Sequence, residues 1–222
     1  MRKFVSVFGA GEPTNELLSG WISTHQIRVI RQLAPLVASQ NFFLVGGTAI
    51  TVYLTQRQSL DLGWFCQAKF DHPMDFVQKL RRAGIEFTTT QVAEGTLHGL
   101  VDDIQVSFWL FTYPFLAPLV YWEQFGIYLA SLEDLAAMKL AAIAQRGSRK
   151  DFYDLYALGE SVFSLEQMLV FYQRKFAIAD VGHVLYGLVY FDDAEAEADP
   201  ILLKPLAWEV VKRSIQTWVK QI

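Results

Sequence analysis

Three short stretches of this 222-residue chain combine residue types that can handle phosphates or metal ions. The first is Gly46-Gly47-Thr48, set between the apolar run Phe42-Phe43-Leu44-Val45 and a short helical stretch, Ala49–Leu54. Glycines let a backbone turn tightly and approach a ligand, and the free N–H groups at a helix start attract phosphate. An ordinary strand-to-helix turn uses the same residues. The second is Arg57-Gln58-Ser59-Leu60-Asp61-Leu62-Gly63-Trp64. If Asp61 opens a strand, position 63 faces the same side. Two carboxylates at that spacing would clamp divalent metals for phosphoryl transfer. Gly63 supplies no ligand, so only half of such a clamp exists, and Asp61 alone reads equally as a strand-edge or capping acid.

The third stretch runs from Lys139 to Asp154. Lys139, Ile143 and Arg146 share a helix face beside the apolar stripe Leu135, Met138 and Ala142. Beyond Gly147 come Arg149, Lys150, Asp151 and Asp154, the two acids sharing a face at i and i+3. Lys139, Arg146, Arg149 and Lys150 together suit a polyphosphate. The plainer alternative is that Asp151 caps its helix and the bases are solvated.

The elements that must position these residues follow from periodicity. Apolar residues at Ile27, Ile30, Leu33, Ala34 and Val37 predict a helix over Ser23–Ser39, with Pro35 near its end. Phe42–Val45 and Asp61–Phe65 read as strands, and Met74–Ala83 as a helix stopped by Gly84. Ile85–Gln91, Thr96–Val101 and Ile104–Leu110 read as strands, the last two joined by the tight turn Asp102-Asp103. Tyr113–Trp122, with Pro114 and Pro118, reads as a connector. From Ser131 the period is helical: Ser131 to Arg146 closed by Gly147, then a helix capped by Ser148 with Asp151 near a capping box, then Leu165–Phe176, Gly182–Phe191 and Pro205–Lys220. The acidic run 192–199 reads as a solvated loop. The expected organisation is an α/β front, residues 1–130, and a helical back, residues 131–222.

Composition sets the bounds. The chain is 52% hydrophobic and 14% aromatic, which excludes a disordered chain. A net charge of −4 leaves no global field toward nucleic acid. No apolar run approaches the roughly 18 residues of a membrane span. Met1–Ala10 reads as an ordinary N-terminus rather than a signal peptide. The single cysteine, Cys66, reads as a buried thiol, no Cys/His set suits zinc, and the cytoplasm is the expected compartment. His25, His72, His98 and His183 are scattered and read as surface or packed residues. Trp208 and Trp218 read as core or interface anchors, and a homo-oligomer or partner is expected on the helical half.

In order and spacing, Phe43-Leu44-Val45-Gly46-Gly47-Thr48-Ala49, then Arg57-x-Ser59-x-Asp61-Leu62, then Leu129 through Leu140, then Arg146-Gly147-Ser148-Arg149-Lys150-Asp151-Phe152-Tyr153-Asp154-Leu155-Tyr156 resemble the AbiEii/AbiGii abortive-infection toxin family of nucleotidyltransferases. The last segment is the most specific. The resemblance implies an α+β nucleotidyltransferase fold of the polymerase-β type: a small mixed sheet flanked by helices, followed by a helical C-terminal portion. It implies a nucleoside triphosphate (NTP) and Mg²⁺, an RNA acceptor such as tRNA in some members, and a cognate antitoxin in a toxin-antitoxin pair. By matching position, Gly46, Gly47 and Thr48 would hold the triphosphate, with Arg57, Arg146 and Lys150 assisting. Asp61 would be the metal carboxylate, Lys139 would contact phosphates, and Asp151 or Asp154 would be the later acidic residue, catalytic or structural.

The family pattern reads Asp-Leu-Asp where this chain has Asp61-Leu62-Gly63. The expected function is therefore a weakened or degenerate nucleotidyltransferase, transferring a nucleotide to an RNA or protein acceptor if active. The alternative is a non-catalytic subunit that binds nucleotide, RNA or a protein partner.

Overall fold

The computed structural model describes residues 21–67, 70 and 72–222. The N-terminal segment 1–10 weighed above lies outside the described residues. The chain divides into two compact units. The first takes the described residues up to Ala49, with Ser59–Tyr113 and Pro118–Ala130; the second takes Ile50–Gln58, Pro114–Ala117 and Ser131–Ile222. A single cut after residue 130 would give both short stretches, 50–58 and 114–117, to the front.

The first unit is built on a seven-stranded mixed sheet in the order β3-β4-β5-β2-β1-β7-β6. The strands are β1 (Phe43–Val45), β2 (Leu62–Cys66), β3 (Thr88–Ala93), β4 (Thr96–Val101), β5 (Ile104–Leu110), β6 (Val120–Trp122) and β7 (Ile127–Leu129). β1 runs antiparallel to β2 and parallel to β7, while β2 and β5 are parallel. Asp102 and Asp103 both hold positive φ, 47° and 64°, which makes the β4–β5 turn one whose twist matches its strands. β3 begins later than the apolar run suggested, and β6–β7 form a hairpin that the two prolines concealed. Trp122 closes that hairpin against Phe125, its ring buried.

Helix α1 (Thr24–Ser39) opens with a Ser23–Gln26 capping box and runs unbroken past Pro35. It buries Ile30, Leu33, Ala34 and Val37 of the expected stripe, with Val29 buried beside them and Ile27 only half-buried. Helix α3 (Pro73–Arg82) buries Phe76, Val77 and Leu80. Phe42 packs edge-to-face on Phe70 and Phe108, and Phe76 on Phe108, with centroids about 5 Å apart, as aromatic quadrupoles prefer, while Phe42 and Phe76 are tilted at 43°. Cys66 is buried and free.

Helix α2 (Gly46–Leu54) follows β1 directly. In the second unit the central element is α4 (Leu132–Arg146), capped by Ser131 and stopped by Gly147 at φ 55°. It buries side chains around most of its circumference, so its amphipathicity is weak. Around it lie α5 (Arg149–Ser161), α6 (Leu165–Phe176) and α7 (Gly182–Val189). A short turn, α8 (Asp192–Glu195), precedes α9 (Trp208–Val219). The two tryptophans of α9 are internal anchors: Trp208 stacks on Tyr153 and Trp218 on Tyr156, beside Gly159.

The acids of the run 192–199 are exposed, as expected, but the stretch opens with a short helical turn and several of its acids are engaged. Ala194 is buried, Glu195 pairs with Lys212, and Glu197 accepts hydrogen bonds from the Ser148 hydroxyl and the Arg149 N–H. Ser148 therefore spends its hydroxyl on Glu197 rather than on a capping box with Asp151.

Candidate active site

In the first unit, β1 delivers the chain into Gly46 at φ 72°, left-handed backbone that glycine adopts without strain. Gly46 and Gly47 are half-buried at the start of α2. Thr48 is buried, and its hydroxyl turns inward. It hydrogen-bonds the backbone carbonyl of Asp61 and lies 2.8 Å from the Ser59 hydroxyl. Ser59 in turn approaches Asp61 Oδ1 at 3.2 Å, and its carbonyl accepts from Gln26 Nε2 at 2.6 Å. Thr48 thus fixes the segment that carries Asp61, so it acts on the carboxylate's position. Asp61 stands half-buried immediately before β2.

The neighbouring sheet positions hold no second carboxylate. Register places Val45, Gly63, Ser107 and His98 in one row across β1, β2, β5 and β4. His98 Nδ1 lies 2.7 Å from Ser107 Oγ, and burial lowers the imidazole pKa, so His98 is neutral at pH 7. A Cβ added at Gly63 would lie 3.3 Å from Trp109 Cζ3 and 3.4 Å from Val45 Cγ2. A side chain at 63 would therefore press on the edge of the indole, which must give by a few tenths of an ångström. Among the described residues no group of three or more His, Cys, Asp or Glu could hold a metal ion. The side chains present do not fit a two-metal clamp, which needs shared carboxylates. They leave Asp61 as a single anchor, the minimum for Mg²⁺ carried on substrate phosphates.

His98 and Ser107 escaped the sequence argument because a lone histidine carries no signal. The signal that existed was geometric: the two residues stand equidistant from the Asp102-Asp103 turn, so the hairpin must pair them.

The second unit gathers Arg57, Lys139, Arg146, Asp151 and Asp154 into one charge cluster. Arg57 clasps Asp154 with Nε and Nη2, at 2.7 and 2.8 Å, the bidentate geometry in which guanidinium excels. Lys139 Nζ sits between the acids, 2.7 Å from Asp151 and 2.6 Å from Asp154. Arg146 closes the other end with two bonds to Asp151. Both carboxylates are fully buried, and Arg57 and Lys139 nearly so; only Arg146 reaches solvent. Burial by itself would raise both acids. The Lys139 charge and the arginine hydrogen bonds outweigh it and hold Asp151 and Asp154 below the usual carboxylate range. Burial would likewise lower Lys139, but the two acids raise it. Such acids are poor proton acceptors at neutral pH, and Lys139 is committed to them. Arg146 carries the cluster outward to solvent. Lys150 stands half-exposed in the first turn of α5.

A second buried pair closes the connector. Lys175 Nζ bonds Asp134 at 2.6 Å and the Pro114 carbonyl at 3.0 Å, while Asp134 also accepts from the Leu116 N–H.

Residues 113–215 match the family model described as nucleotidyl transferase AbiEii toxin, type IV TA system. Over 210 residues the chain is 31% identical to the Aquifex aeolicus protein aq_aa25, covering 90% of this chain and 97% of that one. The chain belongs to the AbiEii nucleotidyltransferase toxin family. Solved structures agree at the level of fold. MenT4, a nucleotidyltransferase toxin of Mycobacterium tuberculosis, superposes with a TM-score of 0.60 at 14% identity, covering 88% of this chain and 82% of that one. JHP933 from Helicobacter pylori gives 0.56 at 19% identity, covering 88% of each. In this AbiEii protein the matched span includes the Lys139–Asp154 cluster, whereas Gly46-Gly47-Thr48 and Asp61 precede it. Among the described residues no helix is long and apolar enough to cross a membrane.

Proposed function

We propose that this AbiEii protein binds an NTP through Gly46-Gly47 and Asp61 and transfers its nucleotide to an RNA acceptor at a rate much reduced by its incomplete acidic site. The observation that carries this reading is the Trp109 indole over Gly63, where a second carboxylate would stand. The strand-to-helix turn, with Gly46 at positive φ, supports phosphate binding by backbone N–H groups. Thr48 and Ser59 hold Asp61 in place. Mg²⁺, if carried in with the triphosphate, would supply charge neutralisation at Asp61. The buried cluster of Arg57, Lys139, Asp151 and Asp154 is read as a brace for the second unit, with Arg146 and Lys150 offered to phosphates. Family membership supports a cognate antitoxin as protein partner, and a cytoplasmic site of action follows from such a role.

The test is label transfer from each NTP to total RNA with Mg²⁺, comparing the natural protein, Asp61→Asn and the double variant Gly63→Asp/Trp109→Phe. Phenylalanine lacks the benzo edge bearing Cζ3 and makes room for the new carboxylate. Slow transfer by the natural protein, lost in Asp61→Asn and raised in the double variant, is expected. Transfer indifferent to Asp61, or absent from the natural protein and the double variant alike, overturns the reading.

A further inference from the structure

Transfer to a hydroxyl needs a group that takes its proton, and most candidates here are spent elsewhere. Asp151 and Asp154 are held ionised by Lys139 and two arginines, below the range in which a carboxylate takes protons at neutral pH. Of the four histidines, His25 and His72 are exposed at helix starts, and His183 meets Tyr172 in the second unit. His98 is the one on the sheet.

His98 stands within β4, paired with Gln91 of β3 on one side and Ser107 of β5 on the other. Ser107 pairs in turn with Gly63 of β2, so these positions share one face. Asp61 lies two positions before Gly63, the spacing at which an extended chain returns to that face. With strands about 4.8 Å apart, the His98 backbone is about 10 Å from that of Gly63. The His98 ring leans back across this gap, toward β5. Nδ1 lies 2.7 Å from Ser107 Oγ, and the ring meets Trp109 edge-to-face at 5.1 Å. Ser107 is buried and His98 half-buried, so a buried hydroxyl and an indole fix a ring that still reaches solvent.

The register neighbours Gln91 and Ser107, and Trp109, do not titrate near neutrality. The acids of the adjoining segments are Asp61 ahead of β2, Glu94 in the β3–β4 turn, and Asp102 and Asp103 in the β4–β5 turn, where Asp102 pairs with Arg28. Burial, not these charges, lowers the His98 pKa, and the neutral ring keeps a lone pair at pH 7.

We propose that His98, oriented by Ser107, is the general base of the transfer and takes the proton of a ribose hydroxyl on the RNA acceptor. This role rests on the nucleotide-transfer reading above. Nδ1–H donates to the Ser107 hydroxyl, which leaves the Nε2 lone pair as acceptor. As Nε2 takes the proton, the hydroxyl oxygen bonds to the α-phosphorus of the NTP. The bond from that phosphorus to its bridging oxygen breaks, and pyrophosphate leaves with the electron pair. The imidazolium then returns its proton to water. Ser107 is a positioning residue, acting through the ring.

The experiment is label transfer from NTP with Mg²⁺ to total RNA, read as kcat and KM from pH 5 to 8, for the natural protein, His98→Gln and Ser107→Ala. His98→Gln should lower kcat about 100- to 10,000-fold, the usual contribution of a general base, with KM for the NTP little changed. In the natural protein kcat should rise with pH through a midpoint below 6.5, because only the neutral imidazole accepts the proton. That limb should vanish in His98→Gln and persist in Ser107→Ala, with a lower plateau. If His98→Gln does not fold, His98→Ala with and without added imidazole carries the comparison, and imidazole should restore part of the rate. Natural kcat in a folded His98 variant, or an acid limb that survives the substitution, overturns the base and leaves the transfer reading standing. A natural plateau in Ser107→Ala overturns the orienting role of Ser107. No transfer by the natural protein with any NTP overturns the transfer reading and the base together.

Discussion

Trp109 lies over Gly63, its Cζ3 only 3.3 Å from where a Cβ at that position would stand. The two residues are on neighbouring parallel strands, Gly63 paired with Ser107 and Trp109 two positions further on the same face, so the missing carboxylate and the ring beside it are a coupled feature. Restoring an acid at 63 is therefore a packing problem as well as a chemical one.

The single substitution Gly63→Asp should destabilise the protein by about 1–3 kcal/mol, the usual range for overpacking a filled site. Trp109→Phe should relieve most of that cost when combined with it. Chemical denaturation of the two single variants and the double variant reads the coupling; simple additivity would show that the indole does not obstruct position 63.

Asp154→Asn should cost about 3–5 kcal/mol, because it leaves Arg57 and Lys139 buried with one carboxylate fewer. Replacing Lys139 and Asp154 together by methionine and leucine should cost less than Asp154→Asn alone, since a buried pair is often exchangeable for apolar side chains. Thermal unfolding of the three proteins decides. An Asp154→Asn protein as stable as the natural one would mean that the cluster is not a brace.

The cluster also sets an acid limit. Asp151 and Asp154 have folded-state pKa values below their unfolded values near 4. Their stabilisation is thus complete above about pH 4 and is lost as the pH falls through and below it. Lys139 shifts the opposite way: its contribution is complete below its ordinary value of 10.5 and is lost as pH rises beyond it. Unfolding midpoints measured from pH 7 down to 3 should drop steeply below 4, and less steeply in a folded Asp154→Asn protein. A curve of the same slope in both would remove Asp154 from the account.

Thr48→Val keeps the side-chain shape and removes the hydroxyl that ties α2 to Ser59 and Asp61. Stability should fall by about 1–3 kcal/mol, as for a buried acceptor left unsatisfied. Affinity for NTP with Mg²⁺ should fall as well, because Asp61 loses its positioning. Unchanged affinity in a folded Thr48→Val protein would show that Asp61 is held without it.

Much of this protein is decided locally. Ser131, Gly147 and the apolar residues between them are enough to start, stop and orient α4. Two aspartates at positive φ are enough to close the β4–β5 hairpin. The Lys139–Asp154 stretch lies in the span that matches the family, and its buried charges are demanded by one another. What sequence alone left open is how distant residues spend their polar groups. Asp151 reads as a cap on its own helix, but Lys139 and Arg146 claim it and leave Ser148 to Glu197. Arg57 reads as an aid in holding the triphosphate, yet it clasps Asp154, almost a hundred positions away. Gly63 reads as a missing ligand; only the register of β2 with β5 shows the ring that stands in its place. Caps, turns and amphipathic stripes depend on neighbours within one turn of chain, which the sequence contains. Buried charges and ring contacts depend on partners that only the packed structure brings within a few ångströms.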